Sequence, residues 1–271
     1  MTVRSATEGD VAPGLFSPNG SGGAPAVTVD DVTKIFGHGK SAIVALDRVS
    51  FAVQPGEFVC LLGASGCGKS TLLNLVAGLD ATTSGRVEAG AARTALMFQD
   101  AALFPWLTVR ANVELALKLN GVGRSERRSR AHELLRMVHL EDFARRMPHE
   151  LSGGMRQRTA LARALAQDAQ ILLMDEPFGA LDAMTRDVLH DELENLWRTT
   201  GKTVLFVTHN VREAIRLGDR VIVLTSRPGR VAQIVPVGIE RPRRIDSPEV
   251  ATLAATITDR LREEMTRHAQ Q

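Results

Sequence analysis

Apolar residues recur along this chain with two periods, and the switches between them outline its elements. Residues 27–35 and 44–53 alternate apolar and polar positions, the pattern of half-buried strands, and predict an antiparallel sheet near the N-terminal end. Residues 58–62 are an apolar run ending in a glycine-rich turn, and residues 70–77 follow with helical spacing: strand, loop, helix. Residues 94–98 read as a further buried strand, after which helical patterns dominate over 109–119, 126–138 and 156–166. Ile171-Leu172-Leu173-Met174 and Val204-Leu205-Phe206-Val207 are continuously apolar, as strands covered on both faces of a parallel sheet must be. Between them residues 184–197 have helical spacing. Asn210 with Glu213 resembles a capping box opening the next helix, and residues 221–224 form another strand. Val250, Leu253, Ile257, Leu261 and Met265 share one face of a closing amphipathic helix. The pattern contains no internal repeat. It predicts an α/β core interrupted by an all-helical insert over about residues 100–158.

Composition narrows the class. With 271 residues the chain has room for one large or two small domains, and 44% hydrophobic and 24% charged residues are ordinary for a soluble globular protein. A net charge of +2 gives no push toward nucleic acid. The two cysteines, Cys60 and Cys67, have neither disulfide-framework nor metal-site spacing and fit a reducing compartment. No stretch of 18 mainly apolar residues exists to cross a bilayer. Residues 11–29 are uncharged and rich in Gly, Pro and Ser, without the basic and apolar regions of a secretory signal, so residues 1–25 are expected to be a flexible leader on an intracellular protein.

Three segments carry chemistry. Gly63-Ala64-Ser65-Gly66-Cys67-Gly68-Lys69-Ser70 matches G-x-x-x-x-G-K-[ST] and follows a strand while opening a helix. Its glycines allow backbone N–H groups to aim at phosphate oxygens, Lys69 is expected to reach the β- and γ-phosphates, and the Ser70 hydroxyl to ligate Mg²⁺. These residues and Thr71 are the candidate nucleotide site. Asp175 and Glu176 fall at the carboxyl end of a buried strand, where open α/β sheets bind ligands. Asp175 suits Mg²⁺ through a water, and Glu176 suits polarising a water aimed at the γ-phosphate. Ser152-Gly153-Gly154 opens a basic helix: Ser152 caps it, and the glycines clear its N-terminal N–H groups for a phosphate. Gln99, after the strand at 94–98, reads equally as a surface residue and as a contact to metal or water. His209 ends a strand expected to lie beside that of Asp175, where an imidazole reaches both the γ-phosphate and Glu176.

In this order the segments resemble the nucleotide-binding subunit of ABC transporters, over residues 27–230. Residues 63–70 match the Walker A motif, Gln99 the Q-loop, residues 151–155 the signature, residues 171–176 Walker B, Ala180-Leu181-Asp182 the D-loop and His209 the switch histidine. The resemblance implies an α/β P-loop NTPase (RecA-like) core with an antiparallel β subdomain and a helical signature-motif subdomain. An ATPase domain over residues 26–230 would then be followed by a tail, 231–271, that includes the amphipathic helix.

Finer features are similar to the ATPases of nitrate/sulfonate/taurine importers: Phe98-Gln99-Asp100 leading to Leu103-Phe104-Pro105-Trp106-Leu107-Thr108-Val109, Asp175-Glu176-Pro177-Phe178-Gly179-Ala180-Leu181-Asp182-Ala183, and the tail element Arg227-Pro228-Gly229-Arg230 with Arg241-Pro242-Arg243. Three positions depart from the common superfamily pattern. Phe36 stands as candidate adenine-stacking residue where Tyr is common, Met155 replaces the signature Gln, and Asn210 follows His209 where Asp is frequent.

The resemblance further implies hydrolysis of ATP with Mg²⁺ and head-to-tail pairing of two copies, Lys69 of one and Ser152 of the other clasping one ATP. It implies a peripheral place on the cytoplasmic face of the inner membrane, transmembrane permease subunits as partners, and an extracytoplasmic solute-binding protein acting indirectly. The solute class would be a small oxyanion or organosulfonate, and no nucleic acid is involved. Alternatives are an importer ATPase for another small solute, a soluble non-transport ABC ATPase, or an inactive scaffold, the last disfavoured by Lys69, Asp175, Glu176 and His209. Phe104 and Trp106 read either as local packing or as partner contact, the arginine-rich run at 124–130 as a solvated helix face or a lipid contact. Cys67 reads as a small buried residue or a redox-sensitive one, and the tail as packing, dimer contact or regulation.

Overall fold

The computed structural model describes residues 24–90 and 92–269, with Lys40 and residues 263–269 by backbone alone; the expected leader falls almost wholly outside them, as does the Met265 side chain. Strands β1 (Val27–Phe36) and β2 (Ile43–Val53) pair antiparallel, as their alternation predicts. After β3 (Phe58–Leu62) and helix α1 (Lys69–Val76), β4 (Ser84–Glu88) joins them to complete a sheet of order β2-β1-β4. Strand β4 was not legible in the sequence because it is an exposed edge with a single half-buried apolar residue, Val87.

Strand β3 belongs to a second, six-stranded sheet with β5 (Thr94–Met97), β6 (Ile171–Asp175), β7 (Thr203–Thr208), β8 (Arg220–Leu224) and β9 (Val231–Pro236), in the order β5-β6-β7-β3-β8-β9. All neighbours are parallel except β8 and β9. The central strands are buried at every residue, which explains their unbroken apolar runs. Successive side chains point to opposite faces, dividing the sheet between two cores. Val59, Leu61, Leu173 and Leu205 pack toward α1 and the small sheet; Phe58, Cys60, Leu172, Met174 and Phe206 pack toward the remaining helices.

The insert is helical, with α2 (Val109–Leu119), α3 (Arg124–Met137) and α4 (Gly153–Leu165), and α5 (Ala183–Thr200) and α6 (Val211–Leu217) cover the sheet beyond it. Thr108, Ser152, Asp182 and Asn210 cap α2, α4, α5 and α6 through side-chain oxygens on free N–H groups. The capping box expected at α6 is only half formed. Asn210 Oδ1 accepts from the amides of Arg212 and Glu213, but the Glu213 carboxylate turns inward to His190 and Thr208.

Residues after 230 are integral to this layer. Strand β9 extends the main sheet, and α7 (Pro248–Ala269) packs Val250, Ala254 and Ile257 into the core. Two arginines lock the connection between them. Arg241 lies over the Trp197 ring at 4.4 Å and pairs with Glu194 and Asp219 at 3.0 and 2.9 Å. Buried Arg243 donates to the carbonyls of Ile239, Ile215, Gly218 and Val237 at 2.7, 2.7, 2.6 and 3.1 Å, engaging all three nitrogens of its guanidinium. Burial, with Arg241 alongside, lowers its pKa to about 10, so it remains charged at neutral pH and these bonds are charge-assisted. Arg243→Ala strips these carbonyls of their shared donor and should cost about 2–5 kcal/mol. At roughly 2–4 °C per kcal/mol for a chain of this size, thermal unfolding should show a clear drop in Tm, and an unchanged Tm would refute this anchoring role.

Candidate active site

The parallel order puts the carboxyl ends of β5, β6, β7 and β3 along one edge of the sheet, so Gln99, Asp175 with Glu176, His209 and the loop after Leu62 emerge side by side. That loop turns through Gly66 and Gly68 at φ of 77° and 94°, conformations closed to most L-residues. A Cβ at Gly68 would also lie 2.7 Å from Leu46 Cδ2. Lys69, almost wholly buried, folds across its own loop and donates to the carbonyls of Gly63 and Ala64 at 2.8 and 3.0 Å. A desolvated ammonium is thereby held at the loop without a carboxylate to quench it. Cys67 is fully buried beneath the loop, its Sγ 3.9 Å from Lys69 Nζ, and burial raises the thiol pKa against the pull of that lysine, which is the inert behaviour of a packing residue.

The underside of the loop rests on the β8–β9 hairpin, a support that sequence reasoning missed. Gly229 exchanges hydrogen bonds with Ala45 and Asp47 at 2.9 and 3.0 Å, and a side chain there would overlap the Cys67 carbonyl oxygen. Arg230 pairs with Asp47 through Nε at 2.8 Å, and Arg227 Nε reaches the Gly66 carbonyl at 3.4 Å. The only sequence signal was a Pro-Gly turn, which marks a hairpin but not what lies under it.

Ser70, the second residue of α1, donates its hydroxyl to Asp175, the last residue of β6. Burial raises the Asp175 pKa, Glu176 beside it adds to the rise, and the Ser70 bond and Lys69 oppose it. Among the described residues no three His, Cys, Asp or Glu side chains converge into a metal cage. A buried carboxylate with one hydroxyl suits instead a hard ion that takes its other oxygens from water or a bound phosphate. Glu176 is held at φ 47°, a left-handed conformation that costs a non-glycine residue about 1–3 kcal/mol and turns its carboxylate out of the strand. Its Oε2 lies 3.0 Å from His209 Nδ1, the imidazole being exposed.

Gln99 sits exposed at the end of β5 and is tied to the signature helix by an unforeseen partner. Gln157 of α4, almost fully buried, donates to the Gln99 carbonyl at 3.1 Å. Asn112 orders the segment beyond, bonding both the amide and the carbonyl of Phe104, and Phe104 lies under Arg163 and against Trp106 at 5.6 Å. Trp106 itself stays 69% exposed, so local packing accounts for Phe104 and not for the tryptophan.

Ser152 and Gly153 stand exposed at the N-terminus of α4, with the Ser152 hydroxyl accepting from the Met155 amide at 3.2 Å. A Cβ at Gly154 would lie 2.9 Å from Leu181 Cδ2, so this glycine seats the helix on the Ala180-Leu181-Asp182 turn. Met155 is half-buried and packs against the core. Among the described residues no hydrogen bond or ion pair joins residues 152–154 to residues 63–71 of the same chain. Phe36 ends β1 with its ring 43% exposed and Lys34 Nζ 4.9 Å from the ring centroid.

Comparison with known proteins shows the family. The profile of the ABC transporter family matches residues 46–179. The chain is 46% identical over 244 residues to an uncharacterized ABC transporter ATP-binding protein of Methanocaldococcus jannaschii, covering 88% of this chain and 91% of that one. It is 53% identical over 194 residues to a taurine import ATP-binding protein of Rhizobium johnstonii, covering 69% and 74%. With a nitrate import ATP-binding protein of Synechocystis sp. it shares 45% over 218 residues, covering 78% and 82%. Among solved structures, a dimeric ATP-binding cassette in a post-hydrolysis state with ADP and Pi superposes with a TM-score of 0.73 at 37% identity, covering 79% of this chain and all of that one. With the P-loop fold, the acidic strand end and relatives at this identity, the chain belongs to the ABC transporter family and is an ATP-hydrolysing cassette of it.

Proposed function

We propose that the chain powers import of a small oxyanion or organosulfonate through a separate membrane permease, as a homodimer that closes on ATP. The observation that carries the chemistry is the 3.0 Å contact of His209 with Glu176, beside the Ser70–Asp175 pair and Lys69. Ser70 and Asp175 would hold Mg²⁺, with Gln99 approaching from β5; the ion would neutralise phosphate charge. Residues 63–71 wrap the phosphates with backbone N–H groups, and Lys69 leaves its loop carbonyls for the β- and γ-phosphates. Phe36 offers a ring face to adenine. Glu176 accepts a proton from the attacking water while His209 steadies that carboxylate and the γ-phosphate.

Ser152 and Gly153 are exposed, with Gly154 half-buried behind them, at a capped helix N-terminus, a ready anion site, and the three supply the second grip from the opposite copy. The dimeric cassette structure supports this pairing. Hydrolysis removes the γ-phosphate that joins the two surfaces, so ATP acts as a separable bridge. The Phe104–Trp106 segment, tied to Gln99 through the helical insert, would carry closure to the permease. No helix among the described residues is long and apolar enough to cross a membrane, in keeping with a peripheral subunit on the cytoplasmic face. The solute class rests on the taurine and nitrate import relatives; an extracytoplasmic binding protein would select the solute.

Glu176→Gln should lower kcat about 10²–10⁴-fold with ATP affinity retained, because a general base is lost while the phosphate grip remains. Unchanged turnover would remove Glu176 from the chemistry. With ATP and Mg²⁺ the same variant should elute as a dimer in size-exclusion chromatography, and a monomer would refute the two-copy clasp. Lys69→Ala should abolish measurable ATP binding by calorimetry; normal affinity would overturn the placement of the phosphates. Co-purification of the permease in detergent should bring a partner whose binding protein prefers taurine, sulfonates or nitrate, and a preference for sugars or peptides would sink the solute assignment alone.

A further inference from the structure

Beneath His209 lies a fully buried histidine that the chemistry above does not use. His190, midway along α5, shares its Nε2 with Glu213 Oε1 at 2.8 Å, while its Nδ1 has no hydrogen-bond partner, the Asp187 carboxylate being 3.7 Å away. Glu213 is itself buried, and its second oxygen accepts the Thr208 hydroxyl. Thr208 Oγ1 in turn accepts from the Asn210 amide at 3.0 Å, so one hydroxyl grips the backbone on both sides of His209. The Phe178 ring also packs on the His190 imidazole in a T-shaped arrangement, with centroids 5.1 Å apart. Phe178 belongs to the turn that leaves Glu176, closed by the Gly179 amide on the Glu176 carbonyl at 3.1 Å.

A buried carboxylate needs its donors, and an aromatic edge needs its ring. His190 supplies one to Glu213 and the other to Phe178. It therefore touches both the network behind His209 and the turn carrying Glu176, which also meet where Phe178 packs on Phe206 of β7 and the Glu176 amide donates to the Val207 carbonyl. The helices themselves are clamped separately, by Arg216 of α6 on Asp187 and Asp191 of α5 at 3.5 and 2.5 Å, so α5 and α6 need not depend on this histidine to pack.

We propose that His190 is a positioning residue for ATP hydrolysis: through Glu213 and Thr208 on one side and Phe178 on the other, it sets the contact between His209 and Glu176. The inference rests on the reading that those two residues serve hydrolysis. It assigns α5, whose N-cap is Asp182 of the Ala180-Leu181-Asp182 turn, a direct line to the switch histidine.

The test compares the full chain with its His190→Leu and His190→Gln variants for kcat, KM for ATP and Tm, alongside His209→Ala and the His190→Leu/His209→Ala pair. His190→Leu should lower kcat about 10-fold or more with KM and ATP affinity held within about 3-fold, the split expected when ground-state binding is spared. His190→Gln, which restores an N–H donor to Glu213, should recover most of that loss. The double variant should be no slower than His209→Ala alone, because a residue acting through His209 has nothing left to set. Wild-type kcat in His190→Leu, parallel losses in binding and kcat, failure of Gln to rescue, or a double variant slower than His209→Ala would each overturn the proposal. If His190→Leu does not fold, Thr208→Val decides: it cuts the link between Glu213 and the switch backbone, and full turnover there overturns the proposal while a selective kcat loss supports it. If His209→Ala itself turns over normally, the underlying reading fails too, whereas a slow His209→Ala beside a fully active His190→Leu sinks the positioning role alone.

Discussion

Burial of both faces of the parallel sheet is the constraint from which the site follows. Strands β3, β6 and β7 are closed to solvent at every residue, so their backbones are satisfied by neighbouring strands and their side chains by the two cores. Polar chemistry can emerge only where these strands end. Because they are parallel neighbours, all the useful ends lie on one edge, and the loop glycines, Asp175, Glu176 and His209 are delivered there together. A sheet with a reversed strand at β6 or β7 would send its carboxylates or its histidine to the far edge.

The edge is then held by close approaches that leave little slack. Gly68 and Gly229 admit backbone and Leu46 where any side chain would collide, which sets the phosphate loop against β2 and the β8–β9 hairpin. Lys69 and Asp175 are both buried and are held separately, Lys69 by the Gly63 and Ala64 carbonyls and Asp175 by Ser70. Such an arrangement is costly in isolation, and the proposed binding of a triphosphate with its cation would offset that cost by giving both charges opposite partners. The left-handed Glu176 stores strain at the same point. Stability elsewhere offsets this: Arg241 and Arg243 stitch the C-terminal segment to α5, α6 and the sheet through several guanidinium hydrogen bonds each.

The chain also separates what one copy provides from what it lacks. The exposed glycine-opened N-terminus of α4 and the phosphate loop are each preformed, yet they are not joined within the chain. What does cross between them internally is mechanical: Gln157 ties the signature helix to the Gln99 carbonyl, and Gly154 seats it on Leu181. These contacts join the helical insert to the strand ends by hydrogen bonds and packing within one chain.

Much of this was written locally. Apolar period located β1, β2, β3, β5, β6, β7 and β8 and every major helix, because burial on one or two faces imposes a repeat that a linear reading detects. Glycine, lysine, serine and paired carboxylates at element ends marked the phosphate loop and the acidic strand end, since phosphate binding needs those residue types at fixed spacing. Strands β4 and β9 escaped, being edges with little burial to imprint a pattern. Glu213 was read as a cap because its sequence neighbours allow one, whereas its partners His190 and Thr208 come from a helix 23 residues away and a strand five residues away. Gln157 on Gln99, Gly229 under Cys67 and Arg243 on four carbonyls were equally unreadable. Sequence by itself determines which segments are buried and which residue types can do the chemistry, because those depend on local composition. Tertiary structure alone decides which distant side chain fills the last hydrogen bond of each, because that is a matter of where the folded layers bring two segments into contact.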